Sequence, residues 1–343
     1  MYIVRPADFQ DLPALERLAQ QAGIGFTNFP ANRDRLNDKI ASSKRALQTD
    51  VVNPGSETYL FVLVDESTGD VVGTSGLEGM VGIETPFYSY RIDDVVHASP
   101  QLQIHNRIPA LFLCHDYSGT SRMMAMILDR HHQNPTAMSL LSRARLLFIA
   151  KHPDRFTQKL FVELRGDSDK RGYSPFWESL GKHFFGMDFK KADYLSGVSS
   201  KHFIADLMPR YPIYVPTLSK EAQDVIGVVH EESAKTSDLL LDEGFEFRGY
   251  VDIFDAGPTV EARTRDLRTI REHKSGKALI TPTSESNLKT EDAATYLVAA
   301  GHLEDYRVTS AQATAQVAGL SIDEQTQSRL SISSGSRIQW TKL

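Results

Sequence analysis

"MILDRHHQNPTAMSLL", Met126 to Leu141, reads as the end of a strand, a tight turn and the start of a helix. Asn134 is a good N-cap and Pro135 suits the first helical position, so a helix is expected to begin here. The first turn of a helix leaves backbone N–H groups without intrahelical partners, and anions such as phosphates bind there. Phosphate-cradling turns usually carry glycines, which adopt φ > 0 and let a ligand approach the backbone closely. This turn has none. Gln133 to Met138 contain no glycine, Thr136 included, and Arg130, His131 or His132 would have to supply the positive charge. The turn is therefore either an anion site of looser build or a plain connection.

On either side, alternating and helical patterns can be followed. "YIVRPA" (2–7) reads as a first strand and "DLPALERLAQQAG" as a helix stopped by Gly23. The loop "GIGFTNFPAN" leads to a second amphipathic helix over 33–48. "TYLFVLVDESTGDVVGTSGLEGMVG" is two β-runs joined at Thr68-Gly69-Asp70, and "TPFYSYRIDDVVHAS" and "RIPALFLCHDYSGTS" read as further strands of the same sheet. From Met123 to Phe189 the expected order is strand, helix, strand, helix, strand. "SSKHFIADLMPR" and "SAKTSDLLLDEGF" read as helices, and "EFRGYVDIFDAGP" as strand. "EARTRDLRTIREHKSGK" is basic and poor in apolar residues, so residues 261–275 are expected as a linker. "KALITP", "TYLVAAG", "YRVTSAQATAQVAG" and "RLSISSGSRIQW" then form short β-runs. The fold class expected is α/β (α+β), with a first domain over 1–260 and a small all-β, barrel-like domain over 276–343.

The chain has 343 residues, 41% hydrophobic and 24% charged, with net charge −6 and a single cysteine, Cys114. Its pI of about 6.0 argues against a general nucleic-acid binder. The first residues are charged from Arg5 onward and lack the apolar core of a signal peptide, and no run approaches the ~18 apolar residues of a membrane span. A cytoplasmic protein without nucleic-acid or membrane partners is expected. One cysteine allows no intrachain disulfide. Cys114-His115 lies in a buried-looking strand, where a thiol is usually inert. His131 and His132 are neighbours that point to opposite faces, so no metal site is expected. Glu163 and Arg165 share one strand face and either pair with each other or face a substrate. Tyr173, Phe176, Trp177, Phe184 and Phe185 read as core and site wall.

The element order over 123–189 resembles that of the acyl-CoA-dependent N-acyltransferases of the GNAT superfamily. The resemblance implies two splayed strands, with the pantetheine arm of CoA bonded along the first of them. "FTNFPAN", "RGYSPFWESLGKHFFGMDFKKADYLSG", "FIADLMPRYPIY", "LSKEAQDVIGVVH" and "LLLDEGFEFRGYVDIFDAGPT" together resemble arginine N-succinyltransferase, in order, between residues 26 and 259. That resemblance implies transfer of a succinyl group from succinyl-CoA to the α-amino group of L-arginine, the opening step of arginine degradation by the succinyltransferase route. Succinyl-CoA would be a co-substrate, and no metal or other cofactor is implied. His230 matches the family's catalytic histidine, with a proton-donor role. Its other reading is a cap on the helix that follows. Met126 aligns with the family position that contacts succinyl-CoA, or it simply fills the core. Asn134 and Thr136 would sit at the pyrophosphate. The resemblance allows a homo-oligomer or a heteromer with a paralogous subunit. Two rivals stay open: an acyl-CoA N-acyltransferase for ornithine or another amine, and a catalytically weakened subunit.

Overall fold

Around the opening turn the chain folds as read: Ser121–Leu128 is extended and Pro135–Lys151 is helical. The computed structural model describes residues 1–198, 202–281 and 293–343. Strand β1 (Tyr2–Pro6) is followed by helices α1 (Leu12–Ala22) and α2 (Arg33–Gln48) and by strands β2 (Thr58–Asp65), β3 (Val71–Glu78), β4 (Ser89–Ser99), β5 (Ile104–Cys114) and β6 (Ser121–Leu128). Helix α3 (Pro135–Lys151) leads to β7 (Lys159–Glu163). Next come the short helices α4 (Pro175–Ser179), α5 (Gly181–Phe185), α6 (Phe189–Val198) and α7 (His202–Leu207), the two-residue strand β8 (Ile213–Tyr214) and α8 (Lys220–Val225). Helix α9 (Ala234–Glu243), β9 (Glu246–Val251), β10 (Pro258–Arg263) and α10 (Arg268–Glu272) complete this part. The remainder is β11 (Lys274–Thr281), β12 (Ala294–Ala300), β13 (Arg307–Gln316), β14 (Gly319–Asp323), α11 (Glu324–Leu330) and β15 (Arg337–Lys342).

The main sheet runs β1-β2-β3-β6-β7-β10-β9-β4-β5-β8. Only β6 and β7 are parallel within it, as a strand–helix–strand crossover requires. Leu140, Leu141, Ala144 and Phe148 of α3 pack on one face of the sheet. Leu15 and Leu18 of α1 and Leu36 and Ile40 of α2 cover the other. The third strand expected near Phe189 does not form. Phe189 opens α6, and the neighbour of β7 is β10, far along the chain. Adjacency of that kind leaves no local pattern.

Strands β11, β15, β12, β13 and β14 close into a five-stranded barrel, which leaves no free edge among them. It is not wholly β. Helix α11 packs Leu330 against the barrel core, and of the run "RLSISSGSRIQW" only Arg337–Lys342 is strand. The barrel joins the main sheet where β13 pairs with β1 through Ile3–Thr309 and Val4–Val308. The stretch expected as a linker is packed. It begins inside β10 and continues into α10, with Leu267 and Thr269 fully buried. Of the expected helical run "SSKHFIADLMPR", residues 199–201 lie outside the described residues, as does Pro282 at the end of "KALITP".

Helix α3 is tied to the barrel and to α10 by a buried polar knot. Arg143 Nε lies 3.0 Å from Glu243 Oε1, and its Nη2 donates to the Lys342 carbonyl at 2.9 Å. Glu243 also accepts from Thr269 N–H at 2.8 Å and Thr269 Oγ1–H at 2.9 Å. Removing one member of such a group strands the others without water. Glu243→Ala is therefore expected to lower unfolding free energy by about 3–5 kcal/mol. A urea midpoint unchanged from the parent would show that the knot holds nothing together.

Candidate active site

The site begins where β6 leaves β7. The two strands pair at Ser121–Leu160 and Arg122–Phe161 and no further, so from Met123 onward the β7-facing edge of β6 is open. On its other edge β6 carries a bulge: Gly76 faces Met124 and Thr74 faces Ile127. Ala125 takes φ 53° to make it. A non-glycine residue in the left-handed region is held there only by its surroundings, and here the bulge bends the strand away from its neighbour.

The opening is a cavity of about 510 Å³. Met123 to Leu128 form one side and Val162 to Arg165 the other. Gly25 to Asn28, Phe189 and Asp193 of α6, Asp252 and Asp255 of the β9–β10 loop, and Glu232 to Thr236 close it. Gly257 lets that loop cross the exit of β7: a Cβ there would lie 2.2 Å from the Leu164 carbonyl oxygen.

Charges on the cavity wall are only partly compensated. Asp193 is 9% exposed; its Oδ2 accepts the Gly25 N–H at 3.1 Å and its Oδ1 accepts nothing. Burial pushes its carboxyl up to about 6, against the pull of Arg165. Asp255 is likewise pushed up to about 6 by burial, but both its oxygens are used, on Gly166 and Gly257 N–H at 2.8 Å each. Gln21, Asn28 and Arg165 also line the cavity, and Gln21 Oε1, Asn28 Oδ1 and Arg165 Nε are buried without partners. Unmet buried polar atoms cost about 1–3 kcal/mol each, and here several belong to residues that line one cavity.

The residues singled out in the sequence fall in different places. Met126 lines the cavity. Asn134 caps α3, its Oδ1 accepting Ala137 N–H at 2.9 Å and its Nδ2 donating to Tyr2 Oη at 3.1 Å. Thr136 is exposed at the helix start and does not line the cavity, whereas Gln133, Met138 and Arg130 do. The glycine-free turn is unstrained, with no φ > 0 between Asp129 and Met138. Its N–H array is thin, however. Pro135 has no N–H and the cap takes that of Ala137, leaving the Thr136 N–H. His132 is turned to Tyr2 Oη at 3.1 Å, so Arg130 is the cation of this turn that reaches the cavity.

His230 is 9% exposed and stands behind the wall rather than on it. Its N–H donates to the Arg165 carbonyl at 2.9 Å, and its Nδ1 accepts Glu232 N–H at 3.1 Å, which is the capping role. Nε2 then carries the ring proton, 3.2 Å from the Ser168 carbonyl.

Glu163 and Arg165 both line the cavity but do not pair together. Glu163 takes Arg122 at 2.9 Å and Arg165 takes Glu232 at 3.2 Å. Of the aromatic cluster, Phe176, Trp177 and Phe185 are core, while Tyr173 and Phe184 are exposed. The rings on the cavity are instead Phe26, Phe189 and Phe254. Burial raises the Cys114 thiol, which disfavours the reactive thiolate. No group of three or more His, Cys, Asp or Glu that could hold a metal, and no helix long and apolar enough to cross a membrane, occurs among the described residues.

Splayed parallel strands, a bulge on the first and a crossover helix starting at the mouth of the gap define an acyl-CoA N-acyltransferase core of the GNAT type. Here it is joined to a closed barrel. The chain belongs to the arginine N-succinyltransferase beta subunit family, whose model matches residues 2–269, with the family's C-terminal domain matching 279–342. It is similar to arginine N-succinyltransferase subunit beta of Pseudomonas aeruginosa, 45% identical over 98% of this chain and 97% of that one. Subunit alpha of the same organism is 42% identical over 90% and 89% of the two chains. Arginine N-succinyltransferase of Escherichia coli is 40% identical over 100% and 98%. Among solved structures, arginine/ornithine succinyltransferase subunit AI from Pseudomonas aeruginosa superposes with a TM-score of 0.90 at 37% identity, covering 100% of this chain and 98% of that one.

Proposed function

We propose that this chain transfers the succinyl group of succinyl-CoA to the α-amino group of L-arginine. The observation that carries the reading is the open edge of β6 at its bulge, within a cavity lined by the acceptor-bearing side chains of Gln21, Asn28 and Asp193, which suit a donor-rich cationic amine. The pantetheine arm lies along Met123–Leu128, Met126 included, and the pyrophosphate takes Arg130 and the Thr136 N–H at the end of α3 that Asn134 caps. The neutral amine attacks the thioester carbon, the C–S bond of the tetrahedral intermediate breaks, and the proton lost by the attacking nitrogen balances the one taken up by the departing CoA thiolate. His230 is the proton-transfer residue of this proposal. Its Nε2–H must leave the Ser168 carbonyl to serve.

The same proposal places the reaction in the cytoplasm, with an acyltransferase unit over 1–260 and a barrel domain over 276–343. Succinyl-CoA is a co-substrate, and no other cofactor is invoked. Relatives named as alpha and beta subunits favour assembly with a paralogous subunit or with further copies of this chain.

The test is calorimetric titration with succinyl-CoA, dephospho-CoA and acetyl-CoA, followed by turnover with arginine and with ornithine. Micromolar binding of succinyl-CoA and turnover of arginine are expected. A folded protein that binds no thioester would mean that the cavity has lost its donor, and the weakened-subunit reading would take over.

A further inference from the structure

Arg145 is 1% exposed, lies on α3 beneath the bulge of β6, and lines the cavity. No carboxylate of the described residues lies within ion-pair distance of it. Its donors meet neutral acceptors at long range: Ser142 O at 3.2 Å, Met124 O at 3.3 Å, Ser142 Oγ at 3.3 Å and Met126 Sδ at 3.4 Å. The other arginines buried in this core are better served. Arg143 has Glu243 at 3.0 Å, and Arg155 donates to Thr49 O at 2.7 Å and Ala46 O at 2.9 Å, at the C-terminal end of α2, where carbonyls favour a cation. Burial alone pulls the Arg145 guanidinium down to about 9. A cation so placed is costly unless an anion completes it.

We propose that Arg145 binds the free carboxylate at the far end of the acyl donor and thereby selects a dicarboxylic acyl thioester over a neutral one. The inference rests on the acyl-CoA reading of the cavity. Met124 O and Met126 Sδ flank Ala125, so the guanidinium sits at the bulge, where the open edge of β6 would hold the thioester. Two methylenes separate the thioester carbon of a succinyl group from its carboxylate, which lets the acyl chain reach below the strand. The planar fork of the guanidinium matches a carboxylate with two parallel hydrogen bonds. A neutral acyl chain would leave the cation as it is now, unpaired. Arg165 also lines the cavity with an unmet Nε, so the α-carboxylate of the amine substrate has a cation of its own.

The experiment compares succinyl-CoA with butyryl-CoA, which has the same carbon count without the carboxylate, in the parent and in Arg145→Met and Arg145→Lys. The ratio of kcat/KM values is expected to favour succinyl-CoA in the parent. It should fall by about tenfold or more in Arg145→Met, with the lysine variant in between. An unchanged ratio in a folded variant, or a loss confined to the KM of arginine, overturns the assignment. Should neither variant fold, titration of the parent decides: equal affinity for the two thioesters overturns the role of Arg145 and leaves the acyl-CoA reading standing. Binding of neither thioester overturns both.

Discussion

Replacing His230 by asparagine is expected to lower kcat about 10²-fold or more with the fold intact, the scale of lost acid–base help. Asparagine is the informative choice because the histidine has two jobs. Nδ1 accepts the Glu232 N–H at 3.1 Å, and an asparagine Oδ1 can accept the same hydrogen, since asparagine is among the best N-caps. What asparagine cannot do is give up a proton from the position of Nε2. His230→Ala removes both roles and should show the same loss of kcat plus about 1 kcal/mol of stability for the missing cap. Turnover and thermal midpoints of the two variants separate the roles. Full turnover in His230→Asn would reduce the residue to a cap and move proton transfer to a group that lines the cavity.

Asp193→Asn should have opposite effects on activity and stability. Asp193 Oδ1 is the one buried carboxylate oxygen without a partner among the described residues, and its loss is expected to cut kcat/KM for arginine about 10²-fold, as for removal of one partner of a buried charge pair. Asp252 and Asp255 line the same cavity, so part of the attraction for a cation survives. The stability sign follows from the raised carboxyl. Folding lifts it from 3.8 to about 6, so between these values the folded state holds a proton that the unfolded chain has released. Stability therefore falls as pH rises through that window and stays lower above it, by about 2–3 kcal/mol. The asparagine variant has no such loss and should be more stable than the parent at pH 8. In the parent, kcat/KM for arginine should decline as pH drops below about 6, a limb the variant lacks. Denaturation curves at pH 4 and pH 8, with the pH profile of kcat/KM, check all three points. A variant less stable at pH 8 would mean that the carboxylate is already paired.

Stability gained where activity is lost is the mark of a residue kept for its ligand rather than for the fold. Arg145, which lines the same cavity, has the same part in the proposal above. One cavity carries an unpaired cation beneath the bulge and a half-satisfied anion across from it, complementary to a carboxylate-bearing acyl donor and a cationic acceptor.

Much of the architecture could be read from short stretches. The strand before Asp129, the N-cap at Asn134 with Pro135 after it, the hairpin at Thr68–Asp70 and the helix that Asn32 starts all rest on alternation, capping and turn chemistry. Those forces act over a few residues and leave their pattern in the sequence. Homologous segments between 26 and 259 carried the family and, as an expectation, the role of His230. Arg145 and its neighbour Arg143 did leave a local sign, two arginines inside the apolar helical run "LLSRARLLFIA", where a charge without a partner is expensive.

The pairing of β7 with β10, the packing of the supposed linker and the lining of the site could not be read in this way. Asp193 and Asn28 come from separate stretches of the chain, and each is unremarkable among its own neighbours. Whether a buried charge is paired depends on what the fold sets within about 4 Å of it, because Coulomb attraction in a poorly hydrated interior is decided at contact distance. The sequence alone determined the strand–turn–helix and the family. Tertiary structure decided which charges were left for substrate, since only the folded chain brings them together out of water.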